Sequence, residues 1–560
     1  MRRALFLSLS GVLTASSVSA QTPPDAGALR QQIEQGREIT LPPQQPIKPE
    51  PPAARPPASG LLVTVTAFRL SGNTRIGTEQ LQAALSGYLN RPLDYSQLQA
   101  AAGVVSEVYR SAGWVVRTYL PEQDIQSGVV TIQVVEAVFG GAQTEGQVPP
   151  RSSLARVEGI VAAHQRVGDL LNADALDRAL LLADDLPGVA VSGSLREGAK
   201  SGQTQLLLRL TEEPLVTGNV MLDNTGSRST GDTRLSADLN LNSPFQMGEL
   251  ISANANHTEG SDYVRVGATA PVGLGGLRVG ANVSTLQYKL VLSEFAALNA
   301  HGSSDSVGLE ASYPLIRSRM RNVYLNANLD HKGFNNLANG ATSSCYASNS
   351  LTLGLWGNLF DNFGGGGASN ASLSLTAGQL DLGGSPSQAA DAASTRAEGN
   401  FDKLRYSASR QQMLSQDVSL YAAFSGQWSD RNLDSSEKFY LGGANGVRAY
   451  PANEGGGAMG QLLNLELRWR LPQGLTLSGF YDIGQINVNQ SSNFAGAASP
   501  NDYQLQGNGL ALAWQSNVGL VIKATWAQRI GSHPAPSANG NDQDGSRTLD
   551  RWWVTASLPF

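Results

Sequence analysis

Two stretches of the chain carry residues whose types and spacing can act together. Gly442-Gly443-Ala444-Asn445-Gly446-Val447-Arg448-Ala449-Tyr450-Pro451 lies in the longest loop, and Phe480-Tyr481-Asp482-Ile483-Gly484 follows two strands later. The chemistry they offer is an ion pair rather than catalysis. Alternation sends Leu475, Leu477 and Tyr481 outward, so Phe480 and Asp482 point inward, and a carboxylate shielded from water needs a cation. A guanidinium meets a carboxylate through two parallel N–H donors. Arg448, on a loop long enough to fold inward, can supply it; an arginine simply exposed on that loop is the competing reading. Other candidates give nothing. His164, His257, His301, His331 and His533 are scattered without metal-ligand spacing. No Ser/His/Asp set falls in a recognisable order, and Gly364 to Gly367 follow a strand with no helix to complete a phosphate cradle. The expectation is a non-enzyme with no catalytic residue, no metal and no cofactor.

The elements that position these residues start with an export leader. Arg2 and Arg3 precede the short apolar run Ala4 to Val12, and Val18-Ser19-Ala20 fits the cleavage rule, so residues 1–20 read as a signal peptide. After it, no run of about 18 apolar residues could form a membrane-spanning helix. A net charge of −6 over 560 residues, without a basic face, argues against nucleic acid. Cys345 is the lone cysteine, which excludes an intramolecular disulfide; it reads as a loop residue of no function.

Residues 21–38 are expected to hold a helix, Asp25 to Glu38, with Leu29 and Ile33 apolar. Residues 39–60 are Pro-rich (Pro42-Pro43, Pro49, Pro51-Pro52, Pro56-Pro57) and read as an extended, semi-rigid linker. Residues 61–137 and 138–213 read as two copies of a β-α-α-β-β unit. In the first, Val63 to Leu70 is a strand, and Leu81, Ala84, Leu85 and Tyr88 form a helical stripe. Asp94 and Gln97 make a capping box for a second helix striped by Leu98, Ala101, Ala102, Val105 and Tyr109. Gly113 stops it, and strands Trp114 to Leu120 and Val129 to Glu136 follow. In the second, Leu154, Val157 and Val161 mark one helix, and Asn172 caps another striped by Leu176, Ala179, Leu180 and Ala183. Strands Val189 to Leu195 and Leu206 to Leu210 complete it.

From residue 214 to 560 the period falls to two. Leu463, Leu465, Leu467, Trp469 and Leu471 share one face, with Asn464, Glu466, Arg468 and Arg470 on the other; Trp552, Val554, Ala556, Leu558 and Phe560 share a face at the end. Thr233 to Asn242, Asn322 to Asp330 and Asn370 to Thr376 alternate likewise. The segments run about 10 to 12 residues, enough for a tilted strand to cross a bilayer, and they number sixteen, an even count. Connections alternate between tight (Ser415-Gln416-Asp417, Pro472-Gln473-Gly474, Gln515-Ser516-Asn517) and long (Lys332 to Ala347, Gly383 to Glu398, Ser429 to Met459, Ile530 to Thr548). That is the signature of a transmembrane β-barrel.

At this point the chain resembles the outer-membrane transporters of two-partner (type V) secretion, the haemolysin and haemagglutinin secretion-activation proteins. The resemblance covers essentially the whole mature chain: helix, linker, two POTRA modules (61–137 and 138–213) and a sixteen-stranded barrel (214–560). It includes Asp223-Asn224-Thr225-Gly226, Tyr313-Pro314-Leu315-Ile316-Arg317-Ser318-Arg319, and the Val447 to Tyr450 and Phe480 to Gly484 runs. It implies that the loop at about 429–459 folds inward and that Arg448 pairs with Asp482 as a latch, within a motif of Val447, Ala449, Tyr450, Phe480 and Gly484. Ala449 stands where the family often has Gly, which puts in doubt any need for positive φ there. It also implies an N-terminal plug helix in the barrel, and POTRA modules that recognise an unfolded large exoprotein, adhesin or haemolysin, through its N-terminal secretion domain. Export would run without ATP, in an outer membrane whose lipids contact the barrel, with periplasmic chaperones as further partners. The alternative is a barrel-assembly factor of the same superfamily.

Overall fold

The computed structural model describes residues 24–35, 62–125, 127–200 and 202–560. The leader read at 1–20 and the linker at 39–60 lie outside them. Helix α1 covers Ala26–Gln35; the remainder of the expected helix, past Gln35, also lies outside.

The first module runs β1 (Val63–Thr64), β2 (Ala67–Ser71), α2 (Thr78–Ala84), β3 (Pro92–Leu93), α3 (Tyr95–Ser111), β4 (Val116–Tyr119), β5 (Val129–Glu136). The capping box is present: Asp94 Oδ1 accepts the Gln97 N–H at 2.8 Å, and Gln97 Oε1 accepts the Asp94 N–H at 3.0 Å. The whole expected stripe of α3 is buried. On α2, Leu81 and Leu85 are buried but Ala84 is exposed, because a helix this short meets the core along a single line. The expected strand Val63 to Leu70 is broken in two. The Thr66 N–H turns to the Gly128 carbonyl at 2.8 Å, so β1 pairs with β3 while β2 runs parallel to β5. The sheet order is β2-β5-β4, leaving β2 and β4 as edges.

The second module opens with β6 (Val138–Thr144), a strand absent from the sequence reading. Gly140-Gly141 interrupts its alternation and shifts its register between Phe139 and Ala142. Then come α4 (Leu154–His164), α5 (Ala173–Asp184), β7 (Val189–Glu197) and β8 (Gln203–Glu212). Asn172 Oδ1 caps α5 on the Ala175 N–H at 2.9 Å, and the expected stripe of α5 is buried. The sheet order is β6-β8-β7.

Sixteen antiparallel strands then close a barrel, the last (Asp550–Pro559) pairing with the first (Val216–Asp223). Closure leaves no unpaired edge in the bilayer. Leu351, Leu353, Leu355, Trp552, Val554, Leu558 and Phe560 lie outward and exposed, as a lipid-facing band requires. The strands vary more than the expected 10 to 12, from 8 residues to 21. The expected long loop Lys332 to Ala347 is not a loop. Strands Arg321–Ala338 and Ala341–Asp361 continue to a turn at Asn339-Gly340, with φ of 53° and 74°, the pair a tight hairpin favours. Above Leu329 and Leu351 the outward positions become polar, as at His331 and Asn349, so the apolar signal ends while the strands go on. Cys345 consequently sits on an exposed strand, not in a loop.

Candidate functional site

Asp482, on the strand Leu475–Asn487, is wholly buried. The neighbouring strand Met459–Arg470 sets Asn464 beside Asp482 and Glu466 beside Phe480. Between Ser429 and Met459 the chain folds into the lumen, and the Val447 N–H fixes its bend on the Leu441 carbonyl at 2.7 Å. Arg448 thereby meets Asp482 three times: backbone N–H to Oδ2 at 3.1 Å, Nε to Oδ2 at 2.9 Å, Nη2 to Oδ1 at 2.7 Å. Its Nη1 donates to Glu466 Oε1 at 2.6 Å. The guanidinium lies over the Phe480 ring, 3.5 Å from its centroid. The Trp553 indole N–H donates to the Arg448 carbonyl at 2.7 Å. Arg468 holds the other Glu466 oxygen at 2.7 Å, so two guanidiniums face two carboxylates. That balance makes burial of Arg448, Asp482 and Glu466 tolerable, with the half-buried Arg468 reaching in from the lumen.

Val447, Ala449 and Tyr450 are buried in the same cluster. Ala449 is not in the left-handed region. Where the loop presses on the wall, the wall is glycine: a Cβ on Gly507 would come within 2.7 Å of Ala449 Cβ, and one on Gly484 within 2.6 Å of Leu441 Cδ2. The sequence reading does not assign Glu466, Asn464, Arg468 or Trp553 to this site. The alternation that sends Asp482 inward does the same for the first three, so that signal was there to use.

Helix α1 lies in the same lumen. The buried Arg30 donates to Ser304 Oγ at 3.1 Å, Ser284 Oγ at 2.7 Å and Ser306 Oγ at 2.5 Å, all on the wall. The Ala26 N–H donates to Asn336 Oδ1 at 2.9 Å. Its other side meets the inward segment: Ser435 Oγ donates to Asp25 at 2.8 Å and Gln31 Nε2 to the Lys438 carbonyl at 3.1 Å.

A second cluster ties that segment to the last long loop. His533 Nε2 lies 3.2 Å from Glu454 Oε1 and 3.4 Å from Asp542 Oδ1, a proximity that no spacing in the sequence announces. His533 Nδ1 accepts the Ala535 N–H at 3.1 Å, so the ring proton sits on Nε2, facing both carboxylates. A metal ion at Nε2 would need that proton on Nδ1, and Arg529 and Arg551 already hold Asp542 at 2.7 and 2.9 Å. His533 Nε2 and Glu454 Oε1 lie close without hydrogen-bonding to each other; the clasp between the two loops is the Gln543 N–H on Glu454 Oε2 at 2.8 Å.

Comparison with known proteins agrees with this architecture. The family model for the haemolysin secretion/activation protein ShlB/FhaC/HecB matches residues 202–500, and that for the ShlB-type POTRA domain matches 63–137. The chain is 26% identical over 546 residues to the heme/hemopexin transporter protein HuxB of Haemophilus influenzae (strain 86-028NP), covering 93% of this chain and 94% of that protein. It is 25% identical over 517 residues to the outer membrane transporter CdiB of Dickeya dadantii, covering 89% and 86%. The solved structure of CdiB from Escherichia coli superposes with a TM-score of 0.70 at 21% identity, over 97% of this chain and 100% of that one. At that identity the likeness is one of fold.

Proposed function

This chain belongs to the haemolysin secretion/activation family, outer-membrane barrels with periplasmic POTRA modules that transport secreted proteins, and from that premise we propose how it exports its partner. A large exoprotein of adhesin or haemolysin type binds the modules in the periplasm unfolded, kept so by chaperones. It crosses the barrel as an extended chain, and folding outside, without ATP, gives the direction. The open edges β2 and β4 of the first module, and β7 of the second, suit strand addition by such a chain; the other edge strand, β6, is partly covered by residues 168–171.

The observation that carries this reading is the way the lumen is filled. Neither α1 nor the segment 430–458 is part of the wall, and two of the three hydroxyls that hold Arg30 keep a partner when α1 leaves: Ser284 and Ser306 also bond each other at 2.9 Å. The linker at 39–60, at about 3.1 Å per residue when extended, reaches roughly 70 Å, so α1 can clear the barrel while tethered. Arg448 and Asp482 act as the latch that holds the inward segment in its working position.

Proteoliposomes holding only this protein test the proposal. An unfolded, epitope-tagged N-terminal region of its cognate exoprotein, supplied on the POTRA side without nucleotide, should become protected from added protease. Protection that requires ATP, or that is equal for folded and unfolded forms, would overturn it.

A further inference from the structure

The run Tyr313 to Arg319 stands out in the sequence, yet nothing in the lumen uses it. It forms the periplasmic end of strand His301–Arg317 and the start of the following turn, with a register shift between Pro314 and Ile316. Its partners are on helix α5 of the second module. Arg317 Nε and Nη2 donate to the two oxygens of Asp185 at 2.8 and 2.7 Å. Arg319 Nε reaches Asp177 at 2.6 Å, and Arg178 Nη2 donates back to the Pro314 carbonyl at 2.7 Å. Between these polar contacts the surfaces fit closely: a Cβ on Gly276 would come within 2.6 Å of Leu182 and 2.7 Å of Pro314.

The electrostatics of α5 show that it is built for this contact. Asp184 and Asp185 end the helix, and no basic residue lies in its last turn. The carbonyl end of a helix repels negative charge, so the module alone carries an uncompensated pair of acids there. Burial, with the neighbouring Asp185 adding to it, holds the Asp184 carboxyl above the usual carboxylate range even though the Val191 N–H bonds to it. The cation that the last turn of α5 lacks comes from the barrel. Arg317 is itself prepared: Nη1 donates to Asn322 Oδ1 at 3.1 Å, and Asn322 Nδ2 donates to Asn358 Oδ1 at 2.8 Å on the next strand. Two covalently linked domains move relative to each other by default. A bidentate contact, buried on the arginine side and anchored two strands deep, removes that freedom.

We propose that Arg317, through Asp185, is a positioning residue for export, holding the second POTRA module in one orientation under the pore so that a chain bound there is delivered into the lumen. The proposal rests on the export reading above. It is tested in the full-length protein with Cys345→Ser, spin-labelled at Lys200→Cys between β7 and β8 and at Val518→Cys on a turn across the barrel. Three things are read: the heat-modifiable band of the assembled barrel, the label-to-label distance distribution, and the tagged exoprotein region released to the medium. Arg317→Gln and Asp185→Asn should assemble, broaden the distribution and lower release at least tenfold. Arg317→Glu combined with Asp185→Arg should restore both. If Arg317→Gln does not assemble, Asp185→Asn, which leaves the barrel untouched, decides. Release within threefold of the parent despite a broadened distribution, lost release with an unchanged distribution, or a reversed pair that restores neither would each overturn the proposal. Failure of the export reading would look different, since the parent protein itself would release nothing.

Discussion

Replacing Arg448 by Ala should undock the inward segment without unfolding the barrel. The substitution strands Asp482, wholly buried, with only Asn464 Nδ2 at 2.7 Å as a remaining side-chain donor. Glu466 keeps Arg468. Removing one partner of a buried ion pair costs about 3–5 kcal/mol, while the barrel's own strand pairing is untouched. At about 1.4 kcal/mol per tenfold change, the undocked fraction should rise roughly 140- to 3,700-fold. Val447 is fully buried beside Arg448, so Val447→Cys in a Cys345→Ser background reports the change. When closing is fast, its labelling rate by a membrane-impermeant maleimide follows the undocked fraction. Arg448→Lys should fall between, since an ammonium cannot make the bidentate contact. Secretion should drop at least tenfold for Arg448→Ala or Asp482→Ala, with the heat-modifiable band intact. A labelling rate within threefold of the parent would refute the reasoning.

Deleting residues 21–58 should raise single-channel conductance in planar bilayers and leave secretion partly working. Gly27→Val should do the same from one atom group, because even a Cβ there would meet Ser435 Oγ at 2.6 Å and Tyr346 OH at 2.7 Å; unchanged conductance in both would place the helix elsewhere. Ala449→Gly should secrete within threefold of wild type, since Ala449 does not need a positive φ, whereas Gly507→Ala should impair secretion by pushing on Ala449; equal behaviour of the two would contradict the packing. In the first module, burial opposes ionisation of Glu136, but hydrogen bonds from Thr74, the Arg75 N–H and Tyr109 prevail and hold its carboxyl below the usual range. Its stabilisation is therefore present above the unfolded carboxylate value of about 4.3 and lost as pH falls through the lower folded value. Amide exchange along Val130 to Val134 should be slower in wild type than in Glu136→Gln at neutral pH and converge with it in acid; a gap that persists in acid would be inconsistent with this.

Local signals in the sequence located most of the fold. The Asp94–Gln97 box, the Asn172 cap and the stripes of α3 and α5 are short-range chemistry, and they appear where the residues put them. What failed depended on surroundings. Gly140-Gly141 hid β6 because a register irregularity breaks the period that marks a strand. The hairpin at Asn339-Gly340 was hidden because strands leaving the bilayer no longer need apolar outward residues. At the site, the Arg448–Asp482 contact was reachable from alternation and charge. The His533–Glu454 contact was not, since it joins two long loops whose paths only the folded chain determines.

The two lumenal elements are not independent obstacles. Lys332 on the wall lies 3.6 Å from Glu34 of α1 and 3.5 Å from Glu437 of the inward segment, and Lys403 also holds Glu437. Ser435 and the Lys438 carbonyl bind α1 directly. When α1 leaves, this part of the segment loses Asp25 and Gln31 as partners, and Glu34 no longer shares Lys332. The contacts of Arg448 with Asp482 and Glu466 involve no residue of α1, and neither does the clasp at Glu454. Exit of the helix therefore loosens the segment at its Ser435–Lys438 end and leaves it fastened at Arg448. In the proposed mechanism the lumen opens first along the strands that carried Arg30, where Ser284 and Ser306 bond each other, and the ion pair is what would keep the rest of the loop against the opposite wall during export.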